Sequence, residues 1–406
     1  MKKILFLGLT ALTALSVTSC QNDEVVEAVP QKQAIEFSTY LGRDAQARGT
    51  VMDDNALKAE GAGFGVLAYY TSDDDWSTAK TNATPNFMYN QQVTWTSGNP
   101  GSWGYTPKKY WPTTQGDKIT FFAYAPIAGT NGIAISANTA TGTPQVTYTI
   151  DAANLENMGD FVADALIDQT RQTGKETLDN ASEPVAFTLN HELTRVNIQA
   201  NLSADAFGND AAANKTKVNI TDIKFTGTGF ATTGTYTFAE TNDVADPAQT
   251  NRGSWSYEAV TSPFSIFDAS DNKFVNKAAA TELGSYTTVG VSVLTTAVVN
   301  LFNTNQYLFL IPANGETGIG DANKVSMHVS YDIVTHDTNL SATYSITSAV
   351  KEIELPNGLL AQGKAYNILL TFGMNEITLS ATVTNDWNTV DESGNANVDY
   401  PKEDIE

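Results

Sequence analysis

The chain has 406 residues, a formal net charge of −22 and a sequence pI near 4.4. Because binding to nucleic acid needs a basic face that neutralises phosphates, this composition excludes a nucleic-acid-binding role. The length predicts two or three domains, and the single cysteine, Cys20, provides no partner for a disulfide that would stabilise them.

The first twenty residues predict an export signal. Lys2 and Lys3 precede an apolar stretch, 4–15, that is too short for a membrane-spanning helix. It ends in "VTSC", which resembles the lipobox of bacterial lipoproteins, where the cysteine becomes the lipidated first residue of the mature protein. Residues 1–20 are therefore predicted to be a lipoprotein signal peptide with Cys20 as the lipidation site; the alternative is an ordinary signal peptide with a chance cysteine. The acidic "QNDE" that follows resembles a cell-surface export tag, and membrane attachment is predicted only through the lipid.

A polar leader, 21–33, is typical of a flexible tether, and the segment "AIEFSTY" after it predicts a first strand with Ile35 and Phe37 on one face. Further apolar runs, most of them bounded by Gly, Pro, Asn or Asp, predict a series of turn-separated strands. They are "GFGVLAYY", "QQVTWT", "KITFFAYAP", "PQVTYTI", "PVAFTL", "RVNIQANL", "TTVGVSVL", "QYLFLIP", "KVSMHVSYDIV", "YNILLTF" and "EITLSATVTNDW". The best helix candidate is "MGDFVADALIDQT". The fold class is therefore predicted to be all-β, in sandwiches.

The clearest alternation is in "VSMHVSYDIV", where Val325, Met327, Val329, Tyr331 and Ile333 share one face. Such a strand belongs to a sheet with one dry and one wet face. A boundary between two halves, each about the size of one sandwich domain, is predicted near residues 176–191.

Several motifs in order along the chain resemble the fimbrillin (Mfa-like) family of Bacteroidia. They are "WGYTPKKYWP", "KITFFAYAP", "GDFVADALID", "FTLNHELTRVNI", "YLFLIPAN", "GLLAQGKAYNILLTF" and "EITLSATVTNDW". The resemblance implies a subunit of a type V pilus with two tandem transthyretin-like β-sandwich domains. It also implies export as a lipoprotein, cleavage of the N-terminal segment by an arginine-specific protease, and assembly with other subunits by donor-strand exchange. The predicted division is 1–20 signal peptide, 21–48 tether and removed strand, 49–185 and 186–390 sandwiches, and 391–406 acidic tail.

The resemblance gives a role to two of the five arginines, which lie just behind the first strand in "GRDAQARGTV". A protease needs an extended stretch of small residues with a basic residue at the cut. Arg48 is the first candidate for the cleavage site and Arg43 the second. The cut would free the strand that carries Ile35 and Phe37, and a strand from another subunit would fill the slot. The alternative is that both arginines lie in an ordinary solvated loop.

The segment "NEITLSATVTNDW" is the candidate donor strand, with alternating residues Ile377, Leu379, Ala381, Val383 and Trp387. The alternative is that this strand completes its own domain. The tail after it is acidic and poor in strand formers, which is consistent with a poor donor, a disordered end or a capping subunit.

No catalytic constellation, cofactor site or metal site is predicted. "GLLAQGKA" has the spacing of a phosphate-binding loop, but Ala365 stands where Ser or Thr is needed and a strand follows. His191, His328 and His336 lack metal-ligand spacing, and His191 is predicted to make a structural hydrogen bond at the domain junction. Asp73–Asp75 predict a solvated turn. Trp76 is predicted to be core, with an exposed sugar platform as the alternative.

The sequence thus predicts a structural pilus subunit, in the shaft or at the tip, located in the fimbrium and anchored in the outer membrane as a lipoprotein. Its predicted partners are other pilus subunits and an arginine-specific protease. The alternative function is a tip adhesin or surface lipoprotein that binds glycans or host proteins without polymerising. An enzyme is not predicted, because 45 acidic residues single out no catalytic pair.

Overall fold

Turn-bounded apolar segments form strands throughout the part of the chain that the structure describes. The computed structural model describes residues 33–41, 51–129, 132–151, 155, 158–171, 184–204, 216–242, 252–266, 292–302, 306–335, 345–373 and 376–383. The predicted signal peptide and acidic tail lie outside these ranges.

The elements up to residue 191 are β1 (Phe37–Tyr40), α1 (Asp54–Lys58), β2 (Phe64–Ser72), α2 (Trp76–Ala79), β3 (Met88–Thr96), β4 (Ser102–Gly104), β5 (Lys118–Ala125), β6 (Ile133–Ile135), β7 (Gln145–Thr149), β8 (Val162–Thr170), β9 (Val185–Thr188) and β10 (Asn190–His191). They are followed by β11 (Thr194–Leu202), β12 (Thr216–Thr226), β13 (Thr233–Thr237), β14 (Ser254–Tyr257), β15 (Phe264–Ser265), β16 (Ser292–Val293), β17 (Val299–Asn300), β18 (Leu308–Leu310), β19 (Ser326–Thr335), β20 (Ser345–Glu354), β21 (Ala365–Phe372) and β22 (Ile377–Val383).

A six-stranded sheet with the order β10-β8-β5-β2-β3-β4 is the middle layer of the N-terminal part. Its strand β5 is buried on both faces. On one face Phe121 belongs to a core cluster shared with β1 and β9. On the other face Phe122 belongs to a second cluster, shared with the four-stranded sheet β14-β13-β7-β6, and its ring centroid lies 5.3 Å from that of Phe238.

The C-terminal part is a sandwich of two sheets. One has the order β17-β11-β21-β22, with β18 also on β11, and the other has the order β15-β12-β19-β20, with β16 also on β12. Met327 and Val329 of β19 are fully buried, whereas His328 between them is partly exposed, as the alternation predicts. The two sheets meet where the rings of Tyr331 and Phe372 pack 5.2 Å apart. The prediction of an all-β fold is confirmed; the transthyretin-like topology stays a prediction.

The best helix candidate, "MGDFVADALIDQT", is not a helix, because this segment forms β8. The strand lies between β10 and β5 in the middle sheet, so both of its faces are covered for most of its length. Apolar residues are therefore favoured at successive positions, such as Val162 and Ala163, and the period of two that marks a half-exposed strand is lost.

The division into sandwiches 49–185 and 186–390 stays a prediction. The described residues belong to one compact unit that begins at Gln33. Strands β9 and β10, at the predicted boundary, pair with β1 and β8 of the N-terminal part. Strand β7, which precedes the predicted boundary in the sequence, pairs with β13, which follows it. Sheet hydrogen bonds therefore join the two predicted halves.

Candidate functional site

The segment 33–41 is bound along its length by backbone hydrogen bonds. Its central part, β1, runs parallel to β9 in the register Phe37 to Val185. Near its start, the Ile35 N–H donates to the Lys109 carbonyl over 2.9 Å, and the Trp111 N–H donates to the Gln33 carbonyl over 2.9 Å. The segment thus fills a slot between β9 and residues 109–111.

The inward side chains of this segment are part of the core. Ile35 is 0% exposed and Phe37 is 5% exposed. The Phe37 ring centroid lies 5.3 Å from that of Tyr105, 5.8 Å from that of Phe187 and 5.9 Å from that of Phe121. Burying each of the two side chains contributes about 1.5–3 kcal/mol to stability. The predicted inward placement of Ile35 and Phe37 is therefore confirmed.

Two further residues extend this cover beyond what the sequence predicted. Leu41 is buried, 4% exposed, at the far end of the segment. The Tyr105 hydroxyl donates to the Ile35 carbonyl over 2.8 Å. Burial, reinforced by the nearby Glu36, raises the pKa of Tyr105, so the phenol keeps the proton that it donates. The burial of Leu41 was predictable from the sequence, because Leu41 continues the alternation of Ile35 and Phe37.

The chain is also anchored on the other side of residues 42–50. Val51 is buried, and the Met52 N–H donates to the Asp160 carboxylate over 3.1 Å. The Asp53 side chain then caps α1 by accepting from the Ala56 N–H. The segment that contains both candidate cleavage sites therefore connects two anchored parts of the chain. Arg43 and Arg48 themselves lie outside the described residues, as do Cys20 and Trp387.

A buried ionisable pair supports this anchor. His191 Nδ1 lies 2.5 Å from Asp160 Oδ2, and both side chains are buried. Asp160 Oδ1 also accepts from the Phe161 N–H over 2.8 Å. The prediction that His191 is a structural hydrogen-bonding residue is confirmed.

Two buried acids near this region were not predicted. Burial raises the pKa of Asp164 to about 7, although its carboxyl accepts from the N–H groups of Thr188 and Ala165 over 2.7 and 2.8 Å. Burial also raises the pKa of Glu192 to about 8, with the Arg252 guanidinium 3.6 Å away. Asp164 matters for the slot, because Thr188 is the β9 residue opposite Tyr40 of β1.

The candidate donor strand is paired within its own chain in this structure. It forms β22, at the edge of its sheet, antiparallel to β21, with Ile377 opposite Phe372 and Val383 opposite Tyr366. Ile377 is 7% exposed and Val383 is 60% exposed. Leu379 and Ala381, both half-buried, pack against the core. The strand therefore shows the arrangement in which it completes its own sandwich, and its donation remains a proposal.

The remaining candidate residues have structural roles. Trp76 is fully buried, so the alternative of an exposed sugar platform is wrong. "QGKAYNILLTF" forms a turn that leads into β21, as predicted. Among the described residues, no three His, Cys, Asp or Glu side chains lie close enough together to hold a metal ion. Within the same ranges, no helix has the length and apolar character needed to cross a membrane.

Comparison with known proteins gives the family. The chain matches the fimbrillin-like family over residues 50–387. It is 32% identical to the fimbrium subunit Fim1C of Phocaeicola vulgatus, over 96% of this chain and 98% of that protein. The chain belongs to the fimbrillin-like family. The resemblance predicted from its motifs is thereby confirmed.

A solved structure supports the same assignment. A fimbrial protein from Bacteroides vulgatus has 27% sequence identity and a TM-score of 0.63, over 87% of this chain and 99% of that one. The fimbrillin-like family is structural rather than catalytic. The slot filled by residues 33–41 is therefore a candidate assembly site.

Proposed function

We propose that this fimbrillin-like protein is a subunit, in the shaft or at the tip, of a type V cell-surface pilus. It is exported as an outer-membrane lipoprotein through Cys20, activated by arginine-specific cleavage, and assembled with other subunits by donor-strand exchange. Its family and its similarity to a protein named as a fimbrium subunit support the proposal. The observation that carries it is the strand 33–41, whose inward side chains are buried in the core although the strand lies directly before the two arginines.

Cleavage changes how this strand is held. Before the cut, the chain through residues 42–50 keeps the strand next to its slot, so any release is reversed at once by the high local concentration. After a cut at Arg48 or Arg43, the strand is held only by hydrogen bonds and by the burial of Ile35, Phe37 and Leu41. The strand can then leave the slot, and it takes Cys20 and the lipid with it.

The emptied slot is suited to a new strand. Departure of the strand leaves the backbone of β9 and of residues 109–111 without partners, and it uncovers Phe121 and Phe187. Unpaired backbone groups beside apolar surface favour the addition of a strand from another chain. The slot is thus an acceptor site for β-augmentation.

The segment 377–387 of the next subunit is the proposed donor. It has eleven residues, two more than the segment 33–41, so at about 3.3 Å per residue it can cover the whole slot. Its alternating residues Ile377, Leu379, Ala381 and Val383 match the alternation of the strand that leaves. Among the described strands it pairs with β21 alone, so its donation breaks one strand pairing.

The central test uses the purified precursor and an arginine-specific endoprotease. Wild-type protein should be cut first within residues 43–48 and then form ladders of multimers, whereas the Arg43→Ala, Arg48→Ala double variant should remain monomeric under the same treatment. The single variants separate the two sites, and Arg48→Ala is expected to slow assembly more than Arg43→Ala. If the double variant forms the wild-type ladder, cleavage behind the strand 33–41 is not what permits assembly.

Lipidation is tested separately in producing cells. Cys20→Ala should abolish incorporation of a fatty-acid probe, because the thiol that receives the lipid is gone, while Ser19→Ala should retain it. Labelling that persists in Cys20→Ala would contradict the lipoprotein assignment.

A further inference from the structure

Basic side chains surround the starting end of the slot. The Lys109 carbonyl accepts a hydrogen bond from the Ile35 N–H, so Lys109 borders the slot directly. Lys108 lies over the ring of Tyr105, with 4.9 Å from its Nζ to the centroid. Arg171 donates through its Nε to Gln33 Oε1 over 3.0 Å. We call Lys108, Lys109 and Arg171 the basic rim.

The charges of the two rim lysines lie at or near the surface. The Lys108 side chain is exposed and the Lys109 side chain is half-exposed, with its Nζ 5.4 Å from the ring centroid of Phe87. In the part of the chain that the structure describes, neither lysine forms an ion pair with a carboxylate. Glu36, close enough to act on Tyr105, is carried by the strand itself and would leave with it.

The other end of the slot carries acids instead. There the Asp164 carboxyl accepts from the N–H of Thr188, the residue opposite Tyr40. Asp160 accepts from the Met52 N–H and contacts His191. The basic side chains therefore lie at one end of the slot and the buried acids lie near the other, within a chain whose net charge is −22.

The chain has one segment with the complementary charge next to the proposed donor. Residues 388–406 follow the donor segment 377–387 directly and contain one basic residue, Lys402. Their six acidic residues are Asp391, Glu392, Asp399, Glu403, Asp404 and Glu406. When the donor strand lies in the slot, its C-terminal end is at one of the two ends of the slot. The acidic segment would leave the slot at that end.

We infer that the basic rim binds the acidic segment 388–406 of a second copy and thereby sets the direction of the incoming strand. The inference rests on the proposed donor-strand function. Because β1 runs from the rim toward Leu41, a donor whose C-terminal end lies at the rim runs antiparallel to the strand that it replaces. It is then also antiparallel to β9, which β1 pairs in parallel. Charge complementarity of this kind steers association and fixes orientation.

Charge reversal tests the rim by the rate of assembly after arginine-specific cleavage. Lys108→Glu with Lys109→Glu should slow assembly roughly tenfold at low salt, and the difference from wild type should shrink as salt screens the charges. Lys224→Glu with Lys351→Glu makes the same change in net charge on the C-terminal sandwich and should leave the rate near wild type. Adding Asp391→Lys and Glu392→Lys to the rim variant should restore most of the rate.

Disulfide capture tests the direction and does not depend on a charge-reversed protein folding well. After cleavage removes Cys20, the remaining chain has no thiol of its own. Lys108→Cys should then form an intermolecular disulfide with Asp391→Cys in assembled protein, whereas Thr188→Cys, at the Leu41 end, should not.

The outcomes separate this inference from the proposed function. If the rim and control variants assemble at equal rates, or if Thr188→Cys captures Asp391→Cys and Lys108→Cys does not, the basic rim is overturned while donor-strand assembly stands. If cleaved wild-type protein forms no multimers, the proposed function fails and the inference fails with it.

Discussion

Replacing Phe37 with Ala should lower the free energy of unfolding of the uncut subunit by about 3–5 kcal/mol. The ring is 5% exposed and packs against Tyr105, Phe121 and Phe187, so its removal leaves a cavity that these large rings cannot close without moving. Urea unfolding of the purified precursor measures the change. The expected loss is a large fraction of the 5–15 kcal/mol typical of a folded protein.

Tyr40→Ala is the matched control on the same strand. Its side chain is 51% exposed, so truncation removes little buried surface and should cost no more than about 0.5 kcal/mol. Equal stability of wild type and Phe37→Ala would contradict the placement of this strand in the core.

The same variant connects stability to assembly. After cleavage, the strand has to leave before a donor can enter, and Phe37 contributes to retaining it. Since about 1.4 kcal/mol corresponds to a tenfold change in an equilibrium constant, Phe37→Ala should raise the fraction of open slots by more than roughly tenfold and speed assembly. Slower assembly in a folded, cleaved Phe37→Ala subunit would contradict the proposal that release of the strand 33–41 precedes assembly.

Strands with one wet face were predictable from the sequence. "AIEFSTY" and "VSMHVSYDIV" alternate because one set of side chains faces the core and the other faces solvent. β8 was mistaken for a helix because both of its faces are buried. The edge strand β20 was missed for the opposite reason: it is exposed over nearly its whole length, including Ile346 and Val350, so burial imposes little pattern on it.

The slot itself was only partly predictable. Ile35 and Phe37 were identified from local alternation, but their neighbours Tyr105 and Phe187 are far away in sequence, and no local pattern relates them. The buried acids could not be identified from the sequence, because nothing distinguishes the few that lie in the core from the rest of the 45 acidic residues. Asp164 in particular lies in a segment whose secondary structure was wrongly predicted.

Asp164 should make the subunit less stable as the pH rises from about 4 to about 7. An unfolded aspartate has a pKa near 3.9, and burial raises the folded-state pKa of Asp164 to about 7. Between these values the folded state keeps a proton that the unfolded state has released, so raising the pH favours unfolding. The contribution is complete below about pH 4, is lost progressively up to about pH 7, and is then constant.

The expected size of this effect is several kcal/mol. Each pKa unit corresponds to about 1.36 kcal/mol, and the raised value lies about three units above the unfolded one. Asp164→Asn should make this part of the pH profile shallower, because the amide does not titrate; the slope that remains comes from Glu192, whose pKa burial also raises. The variant also loses one acceptor for the N–H groups of Thr188 and Ala165, so its stability should be lower at pH 5 even though its dependence on pH is weaker. Asp74→Asn, at an exposed turn, should keep the wild-type slope.

The same titration should reach the slot through β9. Asp164 holds the Thr188 N–H, and Thr188 pairs with Tyr40 of the strand that covers the slot. When Asp164 loses its proton, a charge is buried beneath this pair, and the cost is relieved if β9 moves and lets water in. Cleaved subunits should therefore assemble faster at pH 7.5 than at pH 5.5, and Asp164→Asn should reduce the ratio of the two rates. An unchanged ratio would show that the stability effect of Asp164 does not extend to the release of the strand.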